Sequence, residues 1–93
     1  MNGFAVIRKH FIFTGRVQGV GFRFRAKHAA SGLGLTGWVK NRWNGSVEME
    51  IQGTEDKINE MLKQINQSPY IRIDWIEQEE IYVDPHDTGF HVR

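Results

Sequence analysis

The 93-residue chain contains no cysteine, which excludes disulfides, a thiolate nucleophile and cysteine-ligated metal sites. It has no apolar run approaching the roughly 20 residues needed to span a bilayer, so no membrane segment is expected. The opening Met1-Asn2-Gly3-Phe4-Ala5-Val6-Ile7-Arg8 lacks the basic start, long apolar stretch and cleavage site of a secretory signal. The expected compartment is therefore the cytoplasm. Internal repeats, low-complexity segments and linkers are also missing, and 93 residues leave room for a single domain, 1–93.

Acidic residues are absent from the whole first half. Residues 1–47 carry Arg8, Lys9, Arg16, Arg23, Arg25, Lys27, Lys40 and Arg42 against no carboxylate, while all eleven acids lie in residues 48–93. The halves are thus +8 and −7 within a net charge of +1. Two readings fit this asymmetry: an anionic partner handled by the first half, or opposite charges meeting on neighbouring strands.

What is present reads as an α+β chain. Residues 5–14 are strand-like, with Ile7, Phe11 and Phe13 on one face and Val6 and Ile12 on the other. Phe22, Ala26, Ala29, Ala30 and Leu33 form one stripe of a helix that closes at Gly32 or Gly34. Strands over 35–41 and 46–52 flank Arg42-Trp43-Asn44-Gly45, where Asn-Gly signals a hairpin because both residues tolerate positive φ. Val47, Met49 and Ile51 point inward from the second of these. Thr54 is placed to cap a second helix that begins with Glu55 and Asp56 and buries Ile58, Met61, Leu62 and Ile65, before Ser68-Pro69 ends it. Strand signals return at 71–83, and a short last strand is expected from Phe90 to Arg93. The order β-α-β-β-α-β points to a ferredoxin-like sandwich. Its antiparallel sheet would carry two helices on one face and a possible short fifth C-terminal strand.

The informative stretch is Gly15-Arg16-Val17-Gln18-Gly19-Val20-Gly21-Phe22-Arg23, between the first strand and the first helix. Its glycines let the backbone turn sharply and converge its N–H groups. A helix N-terminus behind such a turn adds free donors and the positive dipole end. Arg23 falls in that first turn, where a cation opposes the dipole by about 0.3–1 kcal/mol, and a bound anion would relieve the conflict. The planar guanidinium can grip two phosphate oxygens at once.

This string closely resembles the acylphosphatase signature G-x-V-Q-G-V-x-F-R. A second block, Gly37-Trp38-Val39-Lys40-Asn41 with Asn44-Gly45-Ser46-Val47-Glu48, resembles that family's G-W-V-x-N motif and its turn. The likeness covers nearly the whole chain, including Gln52-Gly53, Pro69 and Gly89-Phe90. It departs at Ser68, where glycine is common, and at Asn44, where aspartate is common. The resemblance implies hydrolysis of acylphosphates without metal or cofactor. By the same resemblance, Arg23 and the loop amides of Gly15 to Phe22 bind phosphate, and Asn41 orients the attacking water. The implied partner is a small-molecule acylphosphate substrate, with inorganic phosphate or sulfate able to fill the same place; small size and clean patterning point to a monomer.

Other constellations carry less. Gly32-Leu33-Gly34-Leu35-Thr36-Gly37 is a literal G-x-G-x-x-G, but it follows a helix and enters a strand, the reverse of a dinucleotide site. Gly19 to Phe24 faintly resembles an RNA-binding strand, and an RNA-binding module of RRM type is the leading alternative. That string heads the helical stripe here, however, so no nucleic-acid partner is expected. Two further alternatives are a domain of a carbamoyl-phosphate-processing protein and a non-catalytic regulatory module. His10, His28, His86 and His91 lack metal-ligand spacing, and no serine or threonine sits in a nucleophile elbow.

Overall fold

Alternation along the strands sorts the apolar residues to one side of a single sheet, and two helices cover that side. The computed structural model describes residues 4–93. Met1, Asn2 and Gly3, the first residues of the expected domain and of the stretch tested as a secretory signal, lie outside the described residues. The elements are β1 (Val6–Arg16), α1 (Phe22–Leu33), β2 (Thr36–Asn41), β3 (Val47–Thr54), α2 (Glu55–Asn66), β4 (Arg72–Ile81) and β5 (Phe90–Val92). This is the expected ferredoxin-like order with its short fifth strand.

Across the sheet the strands run β4-β1-β3-β2-β5. β1 pairs antiparallel with β3 and β4, and β2 antiparallel with β3, whereas β5 lies parallel to β2. The sheet expected to be antiparallel is therefore mixed. The chain path explains why: β4 runs opposite to β1 and β2. Once residues 82–89 have crossed the sheet at the far end of β4, the chain returns in the direction of β2.

Phe11 and Phe13 of β1, Val39 of β2, and Val47, Met49 and Ile51 of β3 form one core with Phe22, Ala26, Ala29 and Ala30 of α1 and Ile58, Met61 and Ile65 of α2. Each is at most 3% exposed, and burying a large apolar side chain of this kind stabilises by about 1.5–3 kcal/mol. Phe13 stacks on Phe11 at 5.5 Å and meets Phe22 at 5.0 Å, which fixes the start of α1 to the end of β1. Leu33 and Leu62, expected in the buried stripes, are only partly buried.

Gly34 caps α1 in the left-handed conformation (φ 69°), so the G-x-G-x-x-G string is a helix stop followed by a strand. Thr54 holds the N-cap position of α2, but its hydroxyl makes no capping bond. The expected side-chain cap is replaced by Glu55 and Asp56 in the first turn, where carboxylates suit the dipole.

The second face of the sheet is polar. Arg8, only 5% exposed, donates to Glu50 at 2.9 Å, to Asp87 at 2.8 Å and to Gln52 at 3.2 Å. Burial works against its charge, but the bonds to Asp87 and Glu50 outweigh that and hold its pKa above the ordinary arginine value. His10 bonds Glu48 at 2.7 Å, and Lys40 lies 3.7 Å from the same carboxylate. The hydrogen bond from His10 pulls Glu48 below the ordinary glutamate value, with Lys40, His10 and Arg42 adding to the effect against its burial. Arg8 and Lys40, strand cations of the basic half, thus meet carboxylates of the acidic half, as the second reading of the charge asymmetry requires.

Candidate active site

The turn from β1 into α1 takes its shape from Gly19 (φ 72°) and Gly21 (φ 79°). A Cβ at either would meet nothing within 4 Å, so the need for glycine is one of conformation, not of room. Gly21 is the N-cap of α1, with no side-chain capping bond, and no acid stands in the first turn. The first helical bond runs from the Arg25 N–H to the Gly21 carbonyl at 3.0 Å. The N–H groups of Phe22, Arg23 and Phe24 therefore have no intrahelical acceptor. Free donors at the positive end of a helix dipole form an anion site.

The hairpin at the end of β2 closes against this turn. The Gln18 side-chain amide donates to the carbonyls of Arg42 at 2.7 Å and Ser46 at 2.8 Å, which uses both its protons. Gln18, expected in the phosphate loop, thus has its side chain committed to pinning that loop onto the β2–β3 connection. The connection is closed by Arg42 N–H to the Ser46 carbonyl at 2.9 Å. Asn44 Oδ1 accepts from the Ser46 N–H and hydroxyl at 3.1 and 2.6 Å. Only Gly45 takes positive φ there (92°). Asn44, expected to share that conformation, serves through its side chain instead.

Pinning brings Asn41, the last residue of β2, beside the turn. Val17, Gly19, Gly21, Phe22, Arg23, Phe24 and Asn41 line one cavity of about 190 Å3. A hollow of about 300 Å3 elsewhere is flanked by Glu77 and Glu79, the wrong sign for phosphate. Arg23 donates one bond, to the main-chain oxygen of Arg93 at 3.2 Å, out of five guanidinium N–H groups. Its helix neighbours behave alike: Arg25 donates to the Gln64 carbonyl at 2.9 Å and Lys27 to that of Phe90 at 3.0 Å. Among the described residues no Asp or Glu side chain pairs with any of these three cations.

A family model for acylphosphatase matches residues 9–92. The chain belongs to the acylphosphatase family. It is 40% identical to an acylphosphatase of Moorella thermoacetica, with 96% of each chain covered. The crystal structure of acylphosphatase from Bacillus subtilis superposes with a TM-score of 0.85 at 33% identity, covering 94% of this chain and 98% of that one. Full-length HypF in its phosphate- and nucleotide-bound form superposes with a TM-score of 0.80 at 26% identity, covering 96% of this chain but 12% of that one.

Within the acylphosphatase frame, the candidate residues divide by position. Arg23, Asn41, Val17, Gly19, Gly21 and Phe22 meet at the cavity. Val20 lines an adjoining groove. Gly15 and Arg16, read from the sequence as the start of the loop, are the last residues of β1 and pair with Ile73 and Arg72 of β4. Gly15 (φ 134°) sits at a register shift, where a Cβ would fall against the Arg72 carbonyl, so its glycine serves the sheet.

Sequence reasoning missed Phe24. It lies off the buried stripe of α1, yet lines the cavity while 78% exposed. The available signal was a bulky apolar residue on the polar side of a helix, directly after the candidate arginine. Among the described residues, no three His, Asp or Glu side chains gather where they could hold a metal ion.

Proposed function

We propose that this acylphosphatase-family chain is a free-standing enzyme, with domain 1–93 acting as a monomer in the cytoplasm. It hydrolyses the carboxyl-phosphate bond of small acylphosphates. The observation that supports this reading is the shared cavity lined by residues of the turn together with Arg23 and Asn41. The phosphoryl oxygens are held by the amides from Val17 to Phe22 and by the Arg23 guanidinium. Asn41 cannot take a proton at neutral pH, but its amide accepts from a water hydrogen and fixes the direction of attack.

The water oxygen bonds to phosphorus as the bond from phosphorus to the acyl oxygen breaks. That electron pair leaves on the carboxylate, and the water's proton ends on phosphate. Because the leaving carboxylate has a pKa near 4, it departs unprotonated and no general acid is needed. Positioning and electrostatic stabilisation carry the reaction, and the turn supplies both without a metal.

The RNA-binding alternative would need an aromatic platform on the central strands. On their open face β1 and β3 present Arg8, His10, Glu48 and Glu50, joined by hydrogen bonds. The test is phosphate release from benzoyl phosphate in EDTA, with Asn41→Ala beside the wild type. The variant is expected to lose turnover and yet keep the thermal stabilisation given by inorganic phosphate. Near-normal hydrolysis by Asn41→Ala would remove the role assigned to that residue.

A further inference from the structure

A second hollow of about 320 Å3 adjoins the first and shares Gly21 and Phe24 with it. Val20 and His28 line it from the side of the turn and α1, and Tyr70 from beyond the end of α2. Asn41 lines the first cavity and not this one. The placement matters because attacking and leaving oxygens lie roughly in line on opposite sides of the transferred phosphorus. With water held at Asn41, the acyl group points away from it, and the groove opens on the Gly21–Phe24 side.

The rings around this groove have no use in the core. Phe24 is 78% and Tyr70 67% exposed, and the Phe24 ring lies parallel to that of His28 (13°, 6.5 Å between centroids). One exposed aromatic is ordinary on a protein surface. Three that border one hollow beside the phosphate cavity are a local arrangement, and no carboxylate stands among the lining residues to repel an anionic substrate. Arg25, which also borders the groove, is fixed by its bond to the Gln64 carbonyl.

Resting on the acylphosphatase reading above, we infer that this groove receives the acyl group and that Phe24 and Tyr70 favour flat aromatic acyl groups over short aliphatic ones. A benzoyl group extends further from the phosphoryl group than an acetyl group and offers a ring face for these side chains to pack against.

The experiment compares benzoyl phosphate with acetyl phosphate in the wild type, Tyr70→Ala and Tyr70→Phe. Losing a ring contact is expected to raise KM for benzoyl phosphate about three- to tenfold. Little change in kcat is expected, and the benzoyl-to-acetyl ratio of kcat/KM should fall by the same factor. Tyr70→Phe, which keeps the ring, should keep the wild-type ratio. Equal changes with both substrates, or none with either, would overturn the inference and leave the reaction standing. A wild-type protein that hydrolyses neither substrate would overturn the reaction itself.

Discussion

Arg8 and Arg23 are the same side chain in the same acid-free half of the sequence, and the fold gives them opposite company. Arg8 lies on the polar face of the sheet, buried, with Glu50 and Asp87 within 2.9 Å. Arg23 lies at the start of α1 with a single main-chain oxygen, that of Arg93, for company and a cavity beside it. Lys40 follows the pattern of Arg8, while Arg25 and Lys27 follow that of Arg23. The two explanations of the charge asymmetry therefore hold for different regions. Arg8 and Lys40 are paired with carboxylates and belong to the structure. The helix cations Arg23, Arg25 and Lys27 meet main-chain oxygens and no Asp or Glu side chain.

The contrast breaks most visibly at the site. Arg23→Ala should lower kcat/KM for benzoyl phosphate by about 10²–10³-fold, the usual loss when one transition-state donor is removed. Its midpoint in urea should match the wild type, because one exposed bond to a main-chain oxygen is all the fold loses. A large fall in stability with little change in rate would place Arg23 among the structural cations. Arg8→Ala is the mirror experiment. It leaves two largely buried carboxylates without their cation, and breaking such a pair costs about 3 kcal/mol, which lowers Tm by roughly 10 °C or more in a domain of this size. Activity measured while the variant is still folded should remain within about twofold of wild type. Loss of activity without loss of stability would mean that the two regions are coupled.

Sequence and structure agree wherever one local pattern decides the outcome. The stripe Phe22, Ala26, Ala29, Ala30, Leu33 and the alternation Val47, Met49, Ile51 are read from spacing alone, and all of these residues are buried except Leu33, which is partly so. Arg23 and the turn glycines could be singled out because a cation at a helix start with no acid nearby conflicts with the dipole unless an anion is bound. What escaped depends on contacts distant in the chain. The parallel setting of β5 follows from where the crossing of residues 82–89 begins and ends. Gln18 spends its amide on a hairpin that only the fold brings near. Phe24 belongs to a rim that also needs Tyr70, from beyond the second helix. The pairing of Arg8 with Asp87 likewise joins opposite ends of the chain.

Glu48 gives the smallest effect and the finest test of the structural region, because its partners come from both neighbouring strands: His10 on β1 and Lys40 on β2. The bond from His10 holds its carboxyl below the ordinary glutamate value in the folded protein. A depressed folded pKa means that the unfolded chain takes up the proton first as pH falls. The stabilisation is therefore complete above the unfolded value, near 4.3, and is lost as pH drops through the lower folded value. For a partly exposed pair it amounts to at most about 1 kcal/mol. In Glu48→Gln this contribution is absent at every pH, so the variant should be slightly less stable than wild type at pH 6. The gap should close as both are acidified towards pH 3, as urea titrations at a series of pH values would show. If the gap stayed constant over that range, the carboxylate would not be what joins the three strands. The polar face would then owe its order to Arg8 and its partners alone.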